Sequence, residues 1–270
     1  MKMIQMIYSF LVFFVSCFVA PVNGNTTFDY PHLTDNPYLD RKMQVELSPY
    51  LLPLNHPIKS ALDRIFSQSR VIENERTLLD AGFSVIAGPM PLSFVIVARH
   101  PMIPGYVIKL YLDSETRQRK DVPHWRWLMR RCEGARGIRK IIKKKKIRYF
   151  SVPDKWLYIL PVYPYSSVLT PQPVVLVETD MQPESFEVTE RMWATAIKRK
   201  HLDELYSILR QGYGGHGTIF LTNNVPYTKL GKFAFTDTED PQKEGLPLKH
   251  IKKYLSKEMQ EYWESLISEE

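Results

Sequence analysis

Residues 214–240 read GGHGTIFLTNNVPYTKLGKFAFTDTED, and the interpretation of the whole chain depends on this stretch. Its second half predicts a tight turn around Gly231, because glycine readily adopts the positive φ that such a turn needs. A short apolar strand, Phe-Ala-Phe at 233–235, follows the turn and ends in a polar run. Since side chains two apart on a strand share a face, Asp237 and Glu239 are expected to point the same way, close enough to share a cation.

Two amides lie upstream of this strand, at Asn223 and Asn224, and Pro226 soon follows them and keeps the residue before it extended. A loop that ends in Asn, a turn, and a strand that ends in Asp together supply oxygen ligands for Mg²⁺ beside a phosphate. The alternative interpretation of the Asp-Thr-Glu run is a solvated strand end.

This arrangement resembles the catalytic region of protein kinases, in which a loop with the pattern HRDxxxxN is followed by a hairpin and by the metal-binding Asp of DFG. Asn224 lies 13 residues before Asp237 (224 to 237), and the resemblance implies that these two side chains hold Mg²⁺. Residues 216–218 can be aligned with HRD in either of two registers, but the catalytic Asp is missing from both, because its position holds Thr218 or Ile219. The resemblance is therefore to a kinase-like or pseudokinase fold, and it leaves open whether catalysis is retained.

Three strand-like segments linked by Pro/Gly turns, at 83–87, 93–98 and 106–112, predict an antiparallel meander. Lys109 lies among apolar residues of the third segment, where a charge is costly without a partner. The third strand of kinases carries a lysine, in the pattern V-A-I-K, that holds the α and β phosphates, so the resemblance implies this role for Lys109. The alternative is an edge-strand lysine whose amine reaches water. Gly88 in the first turn would face the phosphates, although the kinase pattern GxGxxG is not found there.

Apolar residues at helical spacing predict a helix at residues 125–144. In kinases the helix after the lysine strand supplies a Glu that pairs with that lysine, and Glu133 is the one acidic residue of this helix. The resemblance thus implies that Glu133 orients Lys109. The alternative is an ordinary ion pair of Glu133 with an arginine one turn away, Arg130 or Arg136.

The remaining segments with strand-like or helical periodicity predict a molecule of two lobes. Residues 150–161 predict two more strands around a Pro-Asp turn, which makes a sheet of about five strands. A further strand is predicted at 174–178, and the segment from Val177 to Met181 is expected near the hinge between the lobes. Helical patterns are found at 57–79, 187–210 and 247–267.

The first 24 residues predict a signal peptide, because Lys2 precedes an apolar run at 6–20 that ends before Pro-Val-Asn-Gly. The mature protein is then secreted or extracytoplasmic. A lipoprotein signal that ends at Cys17 is the alternative, and Phe14 fits it poorly.

A hydrophobic content of 44% with 12% aromatic residues is enough to build a buried core. Removal of the leader leaves Cys132 as the one cysteine, which excludes an intramolecular disulfide, and its apolar neighbours predict a core position. The sequence has no CxxC, HExxH or EF-hand pattern, so neither structural zinc nor a calcium loop is expected.

Positive charge is concentrated in one part of the chain. The net charge is +7, and eleven Lys or Arg residues lie between Arg126 and Arg148, including four consecutive lysines at 143–146. Such a surface favours an anionic partner, either anionic lipid or an acidic protein surface. No aromatic RNA-binding motif or DNA-reading helix pair accompanies it, so sequence-specific nucleic-acid recognition is not favoured.

Taken together, the sequence predicts an α+β, kinase-like fold. Residues 25–56 form an extended arm or linker, residues 57–180 an N-lobe with an antiparallel sheet and one helix, and residues 181–270 a reduced, mainly helical C-lobe. The predicted function is that of a secreted kinase-like protein that binds ATP and Mg²⁺, and if it is an enzyme it is an ATP-dependent phosphotransferase. The alternative is a non-enzymatic module that uses its basic surface. The first hypothesis requires that Lys109, Glu133, Asn224 and Asp237 meet in one cleft.

Overall fold

The structure, a computed structural model, describes residues 33–89, 94–118, 121–163, 171–211, 221–239 and 248–268. The predicted leader at 1–24 and the segment 216–219, where the two HRD registers were compared, lie outside the described residues. In the described ranges no helix combines the length and the hydropathy that crossing a membrane requires.

A five-stranded antiparallel sheet forms the first half of the molecule. Its order is β1-β2-β3-β6-β5, so the third strand and the sixth lie in its interior. The strands of the chain are β1 (Ser84–Ala87), β2 (Ile96–Arg99), β3 (Tyr106–Leu110), β4 (Phe150–Ser151), β5 (Lys155–Ile159), β6 (Val174–Thr179) and β7 (Phe233–Ala234).

The sheet has five strands, as predicted, but one of them is not the segment that was expected. The segment 150–161 was expected to supply two strands, and it supplies only β5, while β6 takes the remaining place. Strand β4 instead pairs in parallel with β7. Pro153, which has no backbone N–H to donate, separates β4 from β5 and allows the chain to leave one sheet for the other.

Helix α4 extends slightly beyond the predicted segment 125–144, whereas the segments predicted at 57–79 and 187–210 are each divided into two shorter helices, with polar caps at some of their ends. Asn74 begins the third helix, where its side chain accepts a hydrogen bond from the Thr77 N–H, and Ser185 caps the fifth in the same way through the Val188 N–H. The helices are α1 (Arg41–Leu47), α2 (Lys59–Ser67), α3 (Glu75–Asp80), α4 (His124–Lys145), α5 (Phe186–Thr195), α6 (Arg199–Leu209), α7 (Leu221–Asn224) and α8 (Lys257–Ser268), the last preceded by a 3₁₀ segment (Leu248–Tyr254).

The 22-residue helix α4 belongs to two hydrophobic cores. Its first half packs Trp127, Leu128 and Cys132 against the sheet, together with Leu157 and Leu176. The thiol of Cys132 is fully buried, as the sequence predicted, and burial raises its pKa to about 12, so it is a packing residue.

The second half of α4 packs against the helical part of the molecule. Ile138 and Ile141 lie in a core with Trp193 of α5, Leu205 of α6 and Trp263 of α8. The sheet and the helical part therefore share one continuous helix rather than meeting only at a linker.

The segment predicted as an extended arm or linker at 25–56 is folded from residue 33 onward. It contains α1, which Asp40 caps by accepting a hydrogen bond from the Met43 N–H at 2.8 Å. Leu47 and Leu52 are fully buried, and the Leu52 N–H donates to the Leu157 carbonyl at the edge of the sheet. These buried leucines make the segment part of the core. The many prolines of the segment hid this packing from the sequence analysis.

Candidate functional site

A cleft of about 380 Å³ separates the sheet from the helical part of the molecule. One wall comes from β1, β2 and β3, and the other from the segments around 181–189, 222–226 and 236–237. Its apolar lining includes Ile86, Ala87, Val97, Val107, Met181 and Phe186, and its polar end includes Lys109, Arg131, Glu178, Asn224 and Asp237.

Lys109 lies on the interior strand β3, and its side chain is only 9% exposed. The Nζ atom is 3.0 Å from Oε1 of Glu178 and donates a hydrogen bond to the carbonyl of Thr236 at 2.8 Å. The alternative of an edge-strand lysine that reaches water is therefore wrong. The amine is held at the polar end of the cleft by one carboxylate and one backbone oxygen.

A second lysine shares both of these partners. Lys155 stands directly opposite Glu178 in the pairing of β5 with β6, and its Nζ is 3.0 Å from Oε2 of Glu178. It also donates to the Thr236 carbonyl, at 2.8 Å. Sequence reasoning missed Lys155 and Glu178, although each is a charged residue inside an otherwise apolar strand, which is the signal that could have found them.

Burial and the attraction between opposite charges shift the pKa values of Lys155 and Glu178 in opposite directions. Burial lowers the pKa of the Lys155 amine to about 8, with attraction by Glu178 opposing the change and repulsion by Lys109 adding to it. Burial alone would raise the pKa of the Glu178 carboxyl, but attraction by Lys109 and Lys155 outweighs it and holds the pKa below its ordinary value. Glu178 is therefore ionised between two lysines.

Asp237 and Glu239 do point the same way, and they share the guanidinium of Arg131 on α4. Arg131 Nη2 is 2.6 Å from Glu239 Oε2, and Arg131 Nε is 3.5 Å from Asp237 Oδ1. The arginine side chain is 2% exposed. Burial would lower its pKa, but Glu239 and Asp237 more than compensate and raise it, so Arg131 is always charged.

The strand end that carries these carboxylates lies unusually close to α4. Thr238 Oγ1 donates to the Arg131 carbonyl at 2.7 Å. A Cβ atom at Gly134 would come within 2.1 Å of the Thr238 carbonyl oxygen, a distance that real Cβ atoms do not adopt. Only glycine allows this approach, so Gly134 helps to set the position of Asp237 relative to the helix.

Asn224 is joined through its backbone carbonyl to Thr236, the residue before Asp237. The Asn224 carbonyl accepts hydrogen bonds from the Thr236 N–H at 2.9 Å and from Thr236 Oγ1 at 3.1 Å. Asn224 and Asp237 consequently both line the cleft, and Gly231 has the positive φ, +74°, that the turn between them was expected to need. The structure thus brings together Lys109, Asn224 and Asp237.

Glu133 and Gly88 are placed differently. Glu133 is half-buried on α4 and is not among the described residues that line the cleft, and the carboxylate beside Lys109 is that of Glu178. The reason is helix phase, because Arg131 faces the cleft and a residue two positions further points about 200° away around the helix. Gly88 is exposed just after β1, next to Ala87, but the lining does not include it.

The surroundings of Asp237, one of the two expected magnesium ligands, determine whether a metal ion can bind there. No group of three or more His, Cys, Asp or Glu side chains in the described ranges is arranged to hold a metal ion. Asp237 already faces a buried guanidinium, so a divalent cation on that carboxylate would lie beside a fixed positive charge. The position of Arg131 therefore argues against Mg²⁺ on Asp237.

Comparisons with protein-family models, with curated proteins and with solved structures gave no match.

Proposed function

We propose that this protein binds a nucleotide in the cleft, as a kinase-like protein would. The observation that carries the proposal is the position of Lys109, whose amine is held on an interior strand at the polar end of a cleft that Asn224 and Asp237 also line. A buried ammonium with fixed orientation is a suitable partner for phosphate oxygens.

The order of elements supports the proposal. Three antiparallel strands precede the long helix α4, and β5 and β6 after it complete the same sheet, with β6 next to the strand that carries the lysine. The short strand β4, between α4 and β5, belongs to the other sheet. The same order is expected of the small lobe of a kinase, in which the helix follows the lysine strand. The segment after β6 then passes along the cleft, with Asp180 tied to Arg99 at 2.8 Å.

The shape of the cleft supports a nucleotide rather than a purely ionic ligand. Its apolar wall, with Val97, Val107 and Met181, suits a flat aromatic base, and the charged groups lie at its other end. The proposal covers binding and leaves phosphoryl transfer aside, because no catalytic base is assigned. Secretion stays a prediction.

Isothermal titration calorimetry of ATP into the mature chain tests the proposal. We expect saturable binding at one site, a loss of affinity of at least tenfold in Lys109→Met, and a similar loss in Ala87→Trp, which fills the apolar wall without changing charge. Lys42→Met is the matched control, because Lys42 is exposed and does not line the cleft. The proposal would be refuted if the wild type did not bind ATP. It would also be refuted if Lys109→Met and Ala87→Trp bound ATP with the same affinity as the control Lys42→Met.

A second candidate function rests on the lysines at the C-terminal end of α4. Several arginines of the basic run are engaged by the protein itself: Arg126 with Glu46, Arg131 with Glu239, Arg136 with the Pro49 carbonyl and Arg139 with Asp154. The lysines behave differently. Lys140 and the four at 143–146 are exposed, and none of them has a carboxylate partner among the described residues.

We propose that this cluster attaches the protein to an anionic lipid surface, since exposed lysines close together add their attraction to such a surface. Co-sedimentation with vesicles of neutral phosphatidylcholine and with vesicles that also contain phosphatidylserine tests it. Neutralising Lys143, Lys144 and Lys145 to glutamine should abolish the preference for anionic vesicles, whereas the same change at Lys42, Lys229 and Lys232, which are also exposed, should preserve it. Equal binding to both kinds of vesicle by the wild type would refute this function.

A further inference from the structure

We infer that the cleft binds its nucleotide without a divalent cation, because the guanidinium of Arg131 takes the place of the metal between Asp237 and Glu239. This inference rests on the proposed nucleotide binding and specifies the form of the ligand: a metal-free nucleoside triphosphate.

The position of Arg131 supports this inference. Its guanidinium is 2.6 Å from Glu239 Oε2 and 3.5 Å from Asp237 Oδ1, so both carboxylates expected to share a cation already share one. The Arg131 and Glu239 side chains are 2% and 5% exposed, and water screens their attraction only weakly. A divalent ion on Asp237 would have to approach this fixed positive charge.

The guanidinium of Arg131 cannot easily move aside. The backbone of the same residue accepts a hydrogen bond from Thr238 Oγ1, and Gly134 one turn later touches the Thr238 carbonyl. Helix α4 and the strand end carrying Asp237 are thus locked together at two points. Displacing Arg131 would require a shift of the helix that belongs to both hydrophobic cores.

Basic side chains of the protein itself lie at the end of the cleft where the phosphates are expected. Lys109 and Arg131 both line its polar end, and Lys155 lies directly behind Lys109 on the shared carboxylate of Glu178. Three basic side chains balance three acidic ones in this cluster, so the carboxylates are already neutralised and no metal ion is needed to offset their repulsion of the phosphates.

Calorimetric titration of ATP in the presence of EDTA, and separately in excess Mg²⁺, tests the inference on the wild-type chain. We expect the Kd in EDTA to be no more than twofold higher than the Kd in Mg²⁺. A larger loss of affinity in EDTA would overturn the inference and leave the proposed nucleotide function intact. Absence of binding under both conditions would overturn the proposed function, and the inference with it.

A variant sharpens the test. Arg131→Gln removes the internal cation that repels a metal ion from the two carboxylates, so ATP binding by this variant should become at least tenfold tighter in Mg²⁺ than in EDTA. Arg131→Lys keeps the charge and should remain indifferent to Mg²⁺. Thermal melting identifies a variant that fails to fold, in which case the wild-type comparison decides alone.

Discussion

Glu178 stabilises the two buried lysines of the cleft. Its carboxylate lies between Lys109 and Lys155, which would otherwise repel each other. Lys109 and Lys155 each approach it to 3.0 Å, and its side chain is 5% exposed. Breaking a buried ion pair by removing one partner leaves an uncompensated charge. The strand pairing that creates this arrangement also explains why Glu178 rather than Glu133 accompanies Lys109.

The substitution Glu178→Gln should therefore lower the free energy of unfolding by about 3–5 kcal/mol, measured by urea denaturation. The matched control is Glu133→Gln on α4, which lies outside the cleft and should change the same quantity by no more than about 0.5 kcal/mol. If Glu133→Gln proved the more damaging of the two, the assignment of the lysine partner to β6 would be wrong.

Lys155 should make the stability of the protein depend on pH in the alkaline range. Its pKa is about 8 in the folded protein and has the ordinary value of 10.5 in the unfolded chain. The unfolded chain therefore binds this proton more tightly, so the contribution of Lys155 to stability rises as the pH increases from about 8 to 10.5.

Comparison with Lys155→Met, which has no titrating group at this position, isolates the effect. The free energy of unfolding of the wild type minus that of the variant should increase across this pH window. A difference that stays constant, or that falls with pH, would show that burial does not depress the pKa of Lys155.

The contact of α4 with the strand end at 236–239 depends on a single glycine. Gly134→Ala would place a methyl group 2.1 Å from the Thr238 carbonyl oxygen, so helix and strand end must separate. We expect a loss of about 1–3 kcal/mol in the free energy of unfolding, in spite of the better helix propensity of alanine.

The same measurement on Gly88→Ala provides the control, because an added Cβ there meets no atom within 4 Å and the backbone does not have a positive φ. This change should alter the free energy of unfolding by about 0.5 kcal/mol or less. An unchanged stability in Gly134→Ala would mean that the close approach is not required.

The sequence was informative where the signal is local. The apolar run around Lys109 predicted β3 correctly, and Gly231 predicted the turn that brings Asp237 back beside Asn224. The partner of Lys109 could not be predicted from α4 alone. It depends on the register of β3 and β5 against β6, which joins residues about 70 positions apart (109 to 178).

The role of Arg131 was hidden for a related reason. It is one of many basic residues on α4, and nothing in the local pattern distinguishes an arginine that is 2% exposed from its solvated neighbours. The prediction that Asp237 and Glu239 share a cation was correct in geometry, but the cation is supplied by the protein. Gly134 could have been found, since a glycine within a helical pattern often marks close packing.

For the molecule as a whole, α4 couples the sheet to the helical part. Leu128 of its first half and Ile138 of its second half lie in two different cores, each at 1% exposure or less. We expect urea denaturation to give a single transition, with tryptophan fluorescence and far-ultraviolet circular dichroism changing together.

Ile138→Ala should shift that entire transition by about 2–5 kcal/mol instead of separating it into two steps. Leu128→Ala, in the other core, should act in the same manner. A helical part that unfolds first while the sheet signal persists would show that the two cores are independent units.

The central claim is that the amine of Lys109 lies at the phosphate end of a nucleotide-binding cleft. Labelling with an ATP acyl phosphate, which transfers its acyl group to a lysine beside the bound phosphates, tests it most directly when the modified peptide is identified by mass spectrometry. We expect modification of Lys109, in EDTA as well as in Mg²⁺, and protection of this lysine by excess ATP. Labelling confined to exposed lysines such as Lys143 and Lys144, with no protection by ATP, would contradict it.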